Sequence, residues 1–559
     1  MKRFLAILLL LPLLLGCMAS AETGETDNSS LLKNDLYVLF TSDVHSGVDC
    51  GWTYVGLESV RTRLKEAGYH VLLVDNGDSV SGMPLSTTTK GEANIELMNA
   101  MKYDVATVGN HEFDQGMEQF FHFTELADFK YVSCNFTREG KLCLDPYEIF
   151  EIDGAKVAFV GVTTPNTINT TRPKHFMDEN GKQIYGFCED RTGEALYKAV
   201  QSAVDSARAE GADYVVLLAH LGNKDNCSPW TYADVVSHTR GIDAVLDGHS
   251  HDLEGLVMKN ETGEDVPRQG CGTKLEGIGY LKIATDGSLE TGVWEWHNDR
   301  SAVELLGLEN GISEELKKAN SKLDKGMKNV IATTRYDLSI TDPETGVRIV
   351  RNQETNIGDL CADAYLKISG ADIAFLNSGA IRTSFPKGDI SVNDALTEFP
   401  FGNYLCVCEA TGQEILDALE FGARAWPQEN GGWISPGASL RYEVHTYIDS
   451  SVVTDDTKLF QKVDGEYRVK NVKVNGEPLD LKKTYTVACT EYLLEDMGDG
   501  FTMFADNNFT QYCVMLDNQL LMTYLTENLG GVIGEEYAEP QGRITFVEKA
   551  PAPAASGKG

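Results

Sequence analysis

Short apolar segments in the first half of this 559-residue chain are repeatedly followed by side chains that can bind a metal ion. There are five such segments, and the side chains that follow them are Asp43 and His45, Asp78, Asn110 and His111, His220, and His249 and His251. Histidine nitrogens combined with carboxylate and amide oxygens suit Zn, Mn or Fe better than Ca or Mg. Two divalent ions about 3.5–4 Å apart also need a bridging carboxylate, and Asp78, which follows the flexible Gly77, is the candidate.

The elements that position these side chains follow an α/β pattern. From Leu36 to about Trp296, apolar runs of strand length alternate with amphipathic segments of helical length. Open α/β sheets bind ligands beyond the carboxyl ends of their strands, so we expect the five segment ends to converge. Each residue alone could be a turn residue or a buried histidine. Because five of the eleven histidines follow apolar runs, the pattern favours a metal site.

The rest of the chain predicts a second domain and a connector. Residues 301–329 are charged, with helical periodicity and few apolar residues to bury, which predicts a helical connector. It would join a first domain at 35–300 to a second α/β domain at 330–548. The low-complexity tail at 549–559 is expected to be disordered.

The N-terminal residues indicate export. Lys2 and Arg3 precede an apolar run, Phe4 to Leu15, that is too short to span a bilayer comfortably and is typical of a signal peptide. The run ends in Leu-Leu-Gly-Cys17, which resembles the bacterial lipobox, and residues 18–34 look like a flexible tether. We therefore expect cleavage after residue 16, lipid attachment at Cys17 and anchoring to a bacterial membrane through the lipid alone. The alternative is an ordinary signal peptide in which Cys17 has no role.

The charge balance limits the kinds of partner. A net charge of -36 disfavours binding to nucleic-acid polymers and to anionic membrane surfaces. An anionic substrate must therefore be attracted locally, by bound metal ions or by a few arginines. The sequence does not indicate an oligomeric state.

The five ligand-bearing segments resemble, in order and rough separation, the motifs of the calcineurin-like metallophosphoesterases. The matching stretches are Asp43-Val44-His45, Gly77-Asp78, Gly109-Asn110-His111-Glu112, Ala219-His220-Leu221-Gly222 and Gly248-His249-Ser250-His251. The longer string from Gly109 to Asp114 is similar to the 5′-nucleotidase branch. The resemblance implies a β-sandwich flanked by helices.

The same resemblance implies the role of each side chain. Asp43, His45, Asp78 and His251 would hold one ion, and Asp78, Asn110, His220 and His249 the other. His111 would contact the phosphoryl group instead of a metal ion, with Asp114 orienting its ring.

The second half resembles the substrate-binding domain of the same nucleotidases, through Glu354–Asp359, Asn377–Arg382, Pro400–Asn403 and Gly498–Phe501. This implies that Arg382 and Asn377 contact a phosphate, with Arg351 as a further candidate. Phe401 and Trp433 would stack on the base, and Asp499 would hold the ribose hydroxyls. The chain departs from the family pattern where Met497 replaces a glycine. It departs again where Leu493 occupies an aromatic position and Tyr492 stands one residue too early.

Taken together, these features predict an extracytoplasmic dimetal phosphohydrolase that releases phosphate from nucleotides by attack of metal-activated water. Two other hydrolases share the expected domains: a 2′,3′-cyclic-nucleotide phosphodiesterase with 3′-nucleotidase activity, and a UDP-sugar hydrolase. A non-catalytic surface lipoprotein that binds nucleotides is the alternative from another class. It would be indicated by a missing metal ligand or by the loss of His111, and all of these residues are present.

Overall fold

The computed structural model describes residues 32–548, apart from 172, 224–226, 299 and 324. The predicted signal peptide, the lipid-attachment site Cys17, most of the tether and the tail at 549–559 lie outside these described residues. Within the described part, no helix combines the length and the apolar character needed to cross a membrane.

The first domain contains fifteen strands and seven α-helices among its described residues. In chain order, the strands are β1 (Leu36–Thr41), β2 (His70–Asp75), β3 (Val105–Thr107), β4 (Lys130–Val132), β5 (Thr137–Arg138), β6 (Lys141–Leu142), β7 (Tyr147–Ile152), β8 (Ala155–Thr163), β9 (Tyr185–Gly186), β10 (Tyr214–His220), β11 (Ala244–Asp247), β12 (Gly255–Lys259), β13 (Asp265–Gly270), β14 (Gly277–Ile283) and β15 (Leu289–Glu295). The helices are α1 (Thr53–Glu66), α2 (Pro84–Thr89), α3 (Glu92–Met101), α4 (Gly116–Leu126), α5 (Thr167–Thr170), α6 (Glu194–Ala209) and α7 (Tyr232–Ser237).

Two six-stranded sheets form a sandwich, with strand orders β15-β14-β1-β2-β3-β4 and β12-β13-β11-β10-β8-β7. Their inner faces share one apolar layer, to which Val38 and Phe40 of β1 and Val216 and Leu218 of β10 contribute. The opposite faces pack under helices, so the central strands are buried on both sides and appear in the sequence as nearly continuous apolar runs.

The strand directions bring the candidate ligands to one edge. Strands β1, β2 and β3 run parallel in one sheet, and β8, β10 and β11 run parallel in the other. The carboxyl ends of the strands that precede the ligands therefore meet at the same end of the sandwich.

The predicted connector contains helices α8 (Ala302–Leu306) and α9 (Ile312–Asn320). These pack against α1 and α3 of the first domain. Ile312, Leu316 and Ala319 are buried there, so the segment buries more than its sparse apolar stripe indicated. The opposing helices supply the apolar surface that the segment lacks by itself.

The second domain begins at β16 and has its own apolar core. Its strands are β16 (Val330–Thr334), β17 (Ile373–Asn377), β18 (Gly388–Ser391), β19 (Leu405–Thr411), β20 (Ile434–Pro436), β21 (Leu440–His445), β22 (Val452–Thr454), β23 (Phe460–Val463), β24 (Val469–Val474), β25 (Glu477–Pro478), β26 (Thr484–Thr490), β27 (Phe509–Gln511), β28 (Val532–Ile533) and β29 (Ile544–Val547). Its helices are α10 (Asn356–Ser369), α11 (Val392–Glu398), α12 (Gly412–Gly422), α13 (Glu491–Leu494) and α14 (Asp517–Thr523). A five-stranded sheet, ordered β20-β17-β26-β19-β27, lies at its centre. The predicted two-domain α/β fold is confirmed.

Candidate functional site

The loops that follow the strands hold the candidate ligands in an unusual backbone conformation. Five of them, Asp43, His45, Asp78, His249 and His251, have positive φ angles between 48° and 74°. Non-glycine residues seldom adopt this region, and such strain clusters at functional sites. The strands on both sides of these loops are buried and regular, which holds the loops in place.

Glycines let these loops approach one another closely. A Cβ atom at Gly109 would lie 2.2 Å from the Asp78 carboxylate, and one at Gly248 would lie 2.0 Å from Ser42 Oγ. No larger residue fits at either position without moving its neighbours. The glycines beside the candidate ligands are therefore a steric requirement of the cluster.

Six of the seven predicted metal ligands fall into two close groups. Asp43, His45 and His251 form one, and Asp78, His220 and His249 form the other, with the ligand atoms of each group within 4.8 Å of one another. Asp78 also groups with His45 and His111 at the same spacing, so it lies where a bridging carboxylate would lie.

The buried nitrogen and oxygen atoms of the cluster suit a cation. Asn110 Oδ1 is buried and has no hydrogen-bond partner among the described residues. His220 Nδ1 lies 2.8 Å from the carbonyl oxygen of Asn76, and His45 Nδ1 lies 2.8 Å from that of Ser81. Donation from each Nδ1 leaves Nε2 free to bind a metal ion, as in most metal-binding histidines.

The pair formed by His220 and Asp78 needs a positive charge. His220 Nε2 lies 3.0 Å from Asp78 Oδ2, which is too close for two lone pairs with nothing between them. Burial lowers the pKa of His220, but the Asp78 carboxylate outweighs burial and raises this pKa to about 10. A proton or a metal ion must therefore stabilise the pair.

His111 and Asp114 lie beside this cluster. His111 Nδ1 is 2.8 Å from Asp114 Oδ2, and Ser81 Oγ donates to the same carboxylate oxygen at 2.7 Å. Burial opposes a charge on His111, but Asp114 and Asp78 outweigh it and raise the pKa of this imidazole. Asp114 therefore fixes the ring so that Nε2 is free for a substrate.

Glu112 is a positioning residue that the sequence reasoning missed. Its buried carboxylate accepts backbone hydrogen bonds from Gly109, Asp78 and Ser79, at 2.7, 2.9 and 2.8 Å. Burial raises its pKa to about 7. Glu112 ties the loop after β2 to the loop after β3, and its place beside His111 in the Gly-Asn-His-Glu motif was the signal available.

The cluster of candidate metal ligands opens into a cleft of about 430 Å³ between the two domains. From the first domain, its wall includes Asp78, Asn110, His111, Asp114, His249 and His251. From the second, it includes Arg348, Arg351, Asn377, Arg382, Phe401, Arg424, Lys458, Tyr492 and Asp499. Four of the five predicted substrate residues therefore face the candidate ligands.

Within this wall, the substrate residues contact one another. Asn377 Nδ2 donates to Asp499 Oδ2 at 2.7 Å. The Arg382 guanidinium lies 5.3 Å from the centroid of the Phe401 ring. Burial lowers the pKa of Arg382, which still remains a cation at neutral pH.

Trp433 is not at the cleft, and the expectation that it stacks on a base is wrong. Its side chain is 1% exposed and lies parallel to Phe546, with 6.1 Å between ring centroids. Its indole nitrogen donates to the carbonyl oxygen of Gln353. The turn at Gly431 carries backbone to the cleft, whereas the ring of Trp433 points into the core.

Tyr492 supplies the aromatic ring that Leu493 does not. It lines the cleft, and its hydroxyl accepts a hydrogen bond from the backbone of Asp499 at 3.0 Å. Leu493, at the expected aromatic position, is fully buried. Both lie in the short helix α13, where successive side chains point about 100° apart. Neighbouring residues can therefore point in different directions, one to the core and the other to the cleft.

Comparison with known proteins matches both domains of the chain. The family model for calcineurin-like phosphoesterases matches residues 36–253, and the model for the 5′-nucleotidase C-terminal domain matches residues 330–506. The 5′-nucleotidase of Vibrio cholerae is 25% identical, over 95% of this chain and 97% of its own. The trifunctional nucleotide phosphoesterase YfkN of Bacillus subtilis is 29% identical over 92% of this chain, which spans only 35% of that relative.

Among solved structures, the 5′-nucleotidase precursor of Thermus thermophilus superposes with a TM-score of 0.75 at 26% identity, covering 92% of this chain and all of that one. A sulfate thiohydrolase, SoxB, has a TM-score of 0.67 at 18% identity and so shares the fold. The matches cover both domains in the order predicted from the motifs. The chain therefore belongs to the calcineurin-like phosphoesterases that carry a 5′-nucleotidase C-terminal domain.

Proposed function

We propose that this phosphoesterase releases phosphate from nucleotides in the cleft between its two domains. The observation that carries the proposal is the composition of that cleft. Candidate metal ligands and His111 form one wall, and arginines, aromatic rings and the Asn377–Asp499 pair form the other. This pairing suits a phosphoryl group joined to a nucleoside. The names of the relatives from Vibrio and Bacillus, a 5′-nucleotidase and a nucleotide phosphoesterase, also support a nucleotide substrate.

Two divalent cations, Zn, Mn or similar, fit the ligands present. Asp43, His45 and His251 would hold one, Asn110, His220 and His249 the other, and Asp78 would bridge them. When bound, the cations supply positive charge to the phosphoryl oxygens and lower the pKa of water.

The side chains around the metals would orient the phosphoryl group. His111 would donate a hydrogen bond from Nε2 to a phosphoryl oxygen, with Asp114 holding the ring in place. Arg382 would bind another phosphoryl oxygen through its planar guanidinium. Water would form a new bond to phosphorus as the bond to the nucleoside oxygen breaks, so no covalent enzyme intermediate is needed.

The second domain would bind the nucleoside. Asp499, held by Asn377, would accept hydrogen bonds from the ribose hydroxyls. Phe401 and Tyr492 would provide aromatic faces for the base, and base stacking contributes about 1–3 kcal/mol per base.

Phosphate release from a panel of 5′-, 3′- and 2′,3′-cyclic nucleotides and UDP-glucose tests the proposal. We expect 5′-nucleotides to be the best substrates, and Asp78→Asn to abolish release. A preference for cyclic or 3′-nucleotides, or for UDP-glucose, would favour the corresponding alternative hydrolase. Binding of nucleotides without any release would favour the non-catalytic alternative.

We also propose that the enzyme acts outside the cytoplasm, anchored by a lipid on Cys17. The support is the basic pair, the apolar run and the lipobox-like end of residues 2–17. Labelled fatty acid should be incorporated into the wild-type protein and not into Cys17→Ser, while phosphate release remains unchanged. Equal labelling of both proteins would contradict the anchor.

A further inference from the structure

Besides Arg348 and Arg351, the cleft wall holds two further cations that the proposed reaction does not use, Arg424 and Lys458. Arg424 lies beside Asp499, and the backbone of Lys458 lies against Gly500, the residue after Asp499. Arg382, in contrast, lies over the Phe401 ring, which stacks on His111 at the metal side. The two extra cations therefore lie at the Asp499 side of the cleft, where the nucleoside is proposed to bind.

Arg424 is held rigidly, and among the described residues no carboxylate contacts it directly. Its guanidinium donates to the backbone oxygens of Phe421 and Asp499, at 2.7 and 3.3 Å, and lies 3.7 Å from the centroid of the Phe421 ring. The Asp499 carboxylate accepts from Asn377, while Arg424 reaches only the Asp499 backbone. Burial lowers the pKa of Arg424 to about 10, although Asp499 counteracts this. A partly desolvated guanidinium bound to neutral groups is a good anion-binding group.

Lys458 reaches the same place from the β22–β23 hairpin. Its Nζ donates to the carbonyl oxygen of Ser228 at 3.1 Å and lies 4.9 Å from the centroid of the Trp230 ring. An exposed ion pair of 2.6 Å between Asp456 and Arg191 is a further contact of the hairpin with the first domain. The hairpin thus bridges the two domains and carries its lysine to the cleft wall.

We propose that Arg424 and Lys458 form a second anion subsite, which binds a phosphate group that the nucleoside carries in addition to the one hydrolysed. This inference rests on the proposed function, because it assumes that the first phosphate lies at the metal cluster. Since Arg424 contacts the residue proposed to hold the ribose, the second phosphate is one borne by the ribose. The substrate class is a nucleoside 3′,5′-bisphosphate, whose remaining ribose hydroxyl, the 2′-hydroxyl, would donate to Asp499.

The reaction at the 5′-phosphate is unchanged. The oxygen of water bonds to phosphorus, the bond from phosphorus to the 5′-oxygen breaks, and a proton passes to that oxygen. The products are inorganic phosphate and a nucleoside that keeps its 3′-phosphate.

The test compares kcat/KM for adenosine 3′,5′-bisphosphate with kcat/KM for adenosine 5′-monophosphate. We expect the wild-type enzyme to prefer the bisphosphate. Arg424→Gln and Lys458→Gln should each reduce the ratio about tenfold, mainly through KM, because each removes a charge-assisted contact to the second phosphate. Lys462→Gln is the matched control: Lys462 lies on the same hairpin, is 59% exposed and pairs with Asp464, so its loss should leave the ratio unchanged.

Adenosine 5′-diphosphate identifies where the second phosphate is attached. Its kcat/KM relative to the monophosphate should not depend on Arg424 or Lys458, and a loss confined to the diphosphate would overturn the ribose assignment. If the ratio of kcat/KM for the bisphosphate to kcat/KM for the monophosphate is unchanged in both variants, the proposed subsite is overturned. If Arg424→Gln does not fold, the result for Lys458→Gln alone decides. Absence of phosphate release from every substrate with the wild-type protein would instead reject the proposed function.

Discussion

The ring of Phe401 lies nearly parallel to the ring of His111, with 5.4 Å between centroids and 13° between planes. The two residues belong to different domains, so this stack joins the proposed base platform to the proposed phosphoryl contact. Arg382 lies over the same Phe401 ring. His111 and Arg382 thus cover the surface of the Phe401 ring on which a base would stack. We therefore expect the second domain to shift relative to the first when a nucleotide binds.

Replacing Phe401 tests its role in binding the base. We expect Phe401→Leu to raise KM for a 5′-nucleotide about tenfold with a smaller effect on kcat, since stacking is lost while the metal cluster is untouched. Steady-state kinetics with a nucleotide and with a small aryl phosphate checks this. An equal loss for both substrates would show that Phe401 acts on the catalytic side, through His111.

Replacing His111 separates catalysis from metal binding. His111→Ala should lower kcat about 10²–10³-fold, the effect of removing one hydrogen-bond donor to a developing charge, and should leave metal content nearly unchanged. His122→Ala is the control, because His122 is 46% exposed and pairs with Glu92 on the surface. Loss of metal from His111→Ala would mean that His111 is itself a ligand.

Glu112 is expected to control metal affinity without touching a metal ion. Glu112→Gln places an amide where the carboxylate accepts three backbone N–H groups, so the loop that carries Asp78 should loosen. Metal affinity should fall about 10–100-fold, as for other residues that support metal ligands. Titration with a competing chelator measures this, with the exposed Glu118→Gln as control. Equal affinities would reject the positioning role.

The parts of this site that could be predicted from sequence follow from strand geometry. Parallel strands end at the same edge, so ligands that follow Val74 and Leu218 were expected to meet, and Asp78 and His220 do lie together. The direction of single aromatic side chains could not be predicted in this way. Trp433 follows two glycines, and this sequence is compatible with a ring in the core and with a ring at the cleft. Only the packing of Trp433 against Phe546 shows that the ring lies in the core.

Contacts between distant segments also could not be predicted from the sequence. The role of Glu112 depends on three backbone N–H groups in two loops, and that of Lys458 on the docking of a hairpin across the domain boundary. Neither arrangement leaves a periodic pattern. By contrast, the α/β alternation of the two domains did leave such a pattern, and the predicted fold class was correct.

The pH dependence of stability should reveal a buried proton on Glu398. Burial raises the pKa of this carboxyl group to about 8, although hydrogen bonds from the Thr383 backbone and the Cys361 thiol oppose the rise. The folded protein therefore keeps a proton that the unfolded chain releases near pH 4.3. The stability from this group is complete below that pH and is lost as the pH rises towards 8, by up to about 1.4 kcal/mol per pH unit.

Glu398→Gln cannot lose a proton, so it provides the comparison. Between pH 5 and pH 8, the Tm of the wild-type protein should fall relative to that of the variant, measured by calorimetry at equal ionic strength. Parallel Tm curves would show that Glu398 is already ionised in the folded protein.

The proposed reaction depends most on two cations held by Asp78 and its neighbours. The most direct test is to remove all metal with a chelator and then follow phosphate release from a 5′-nucleotide as Mn or Zn is added back. Activity should be absent without metal and should reach its plateau at two equivalents per chain. Full activity in the metal-free protein, or a plateau at one equivalent, would contradict the dimetal mechanism.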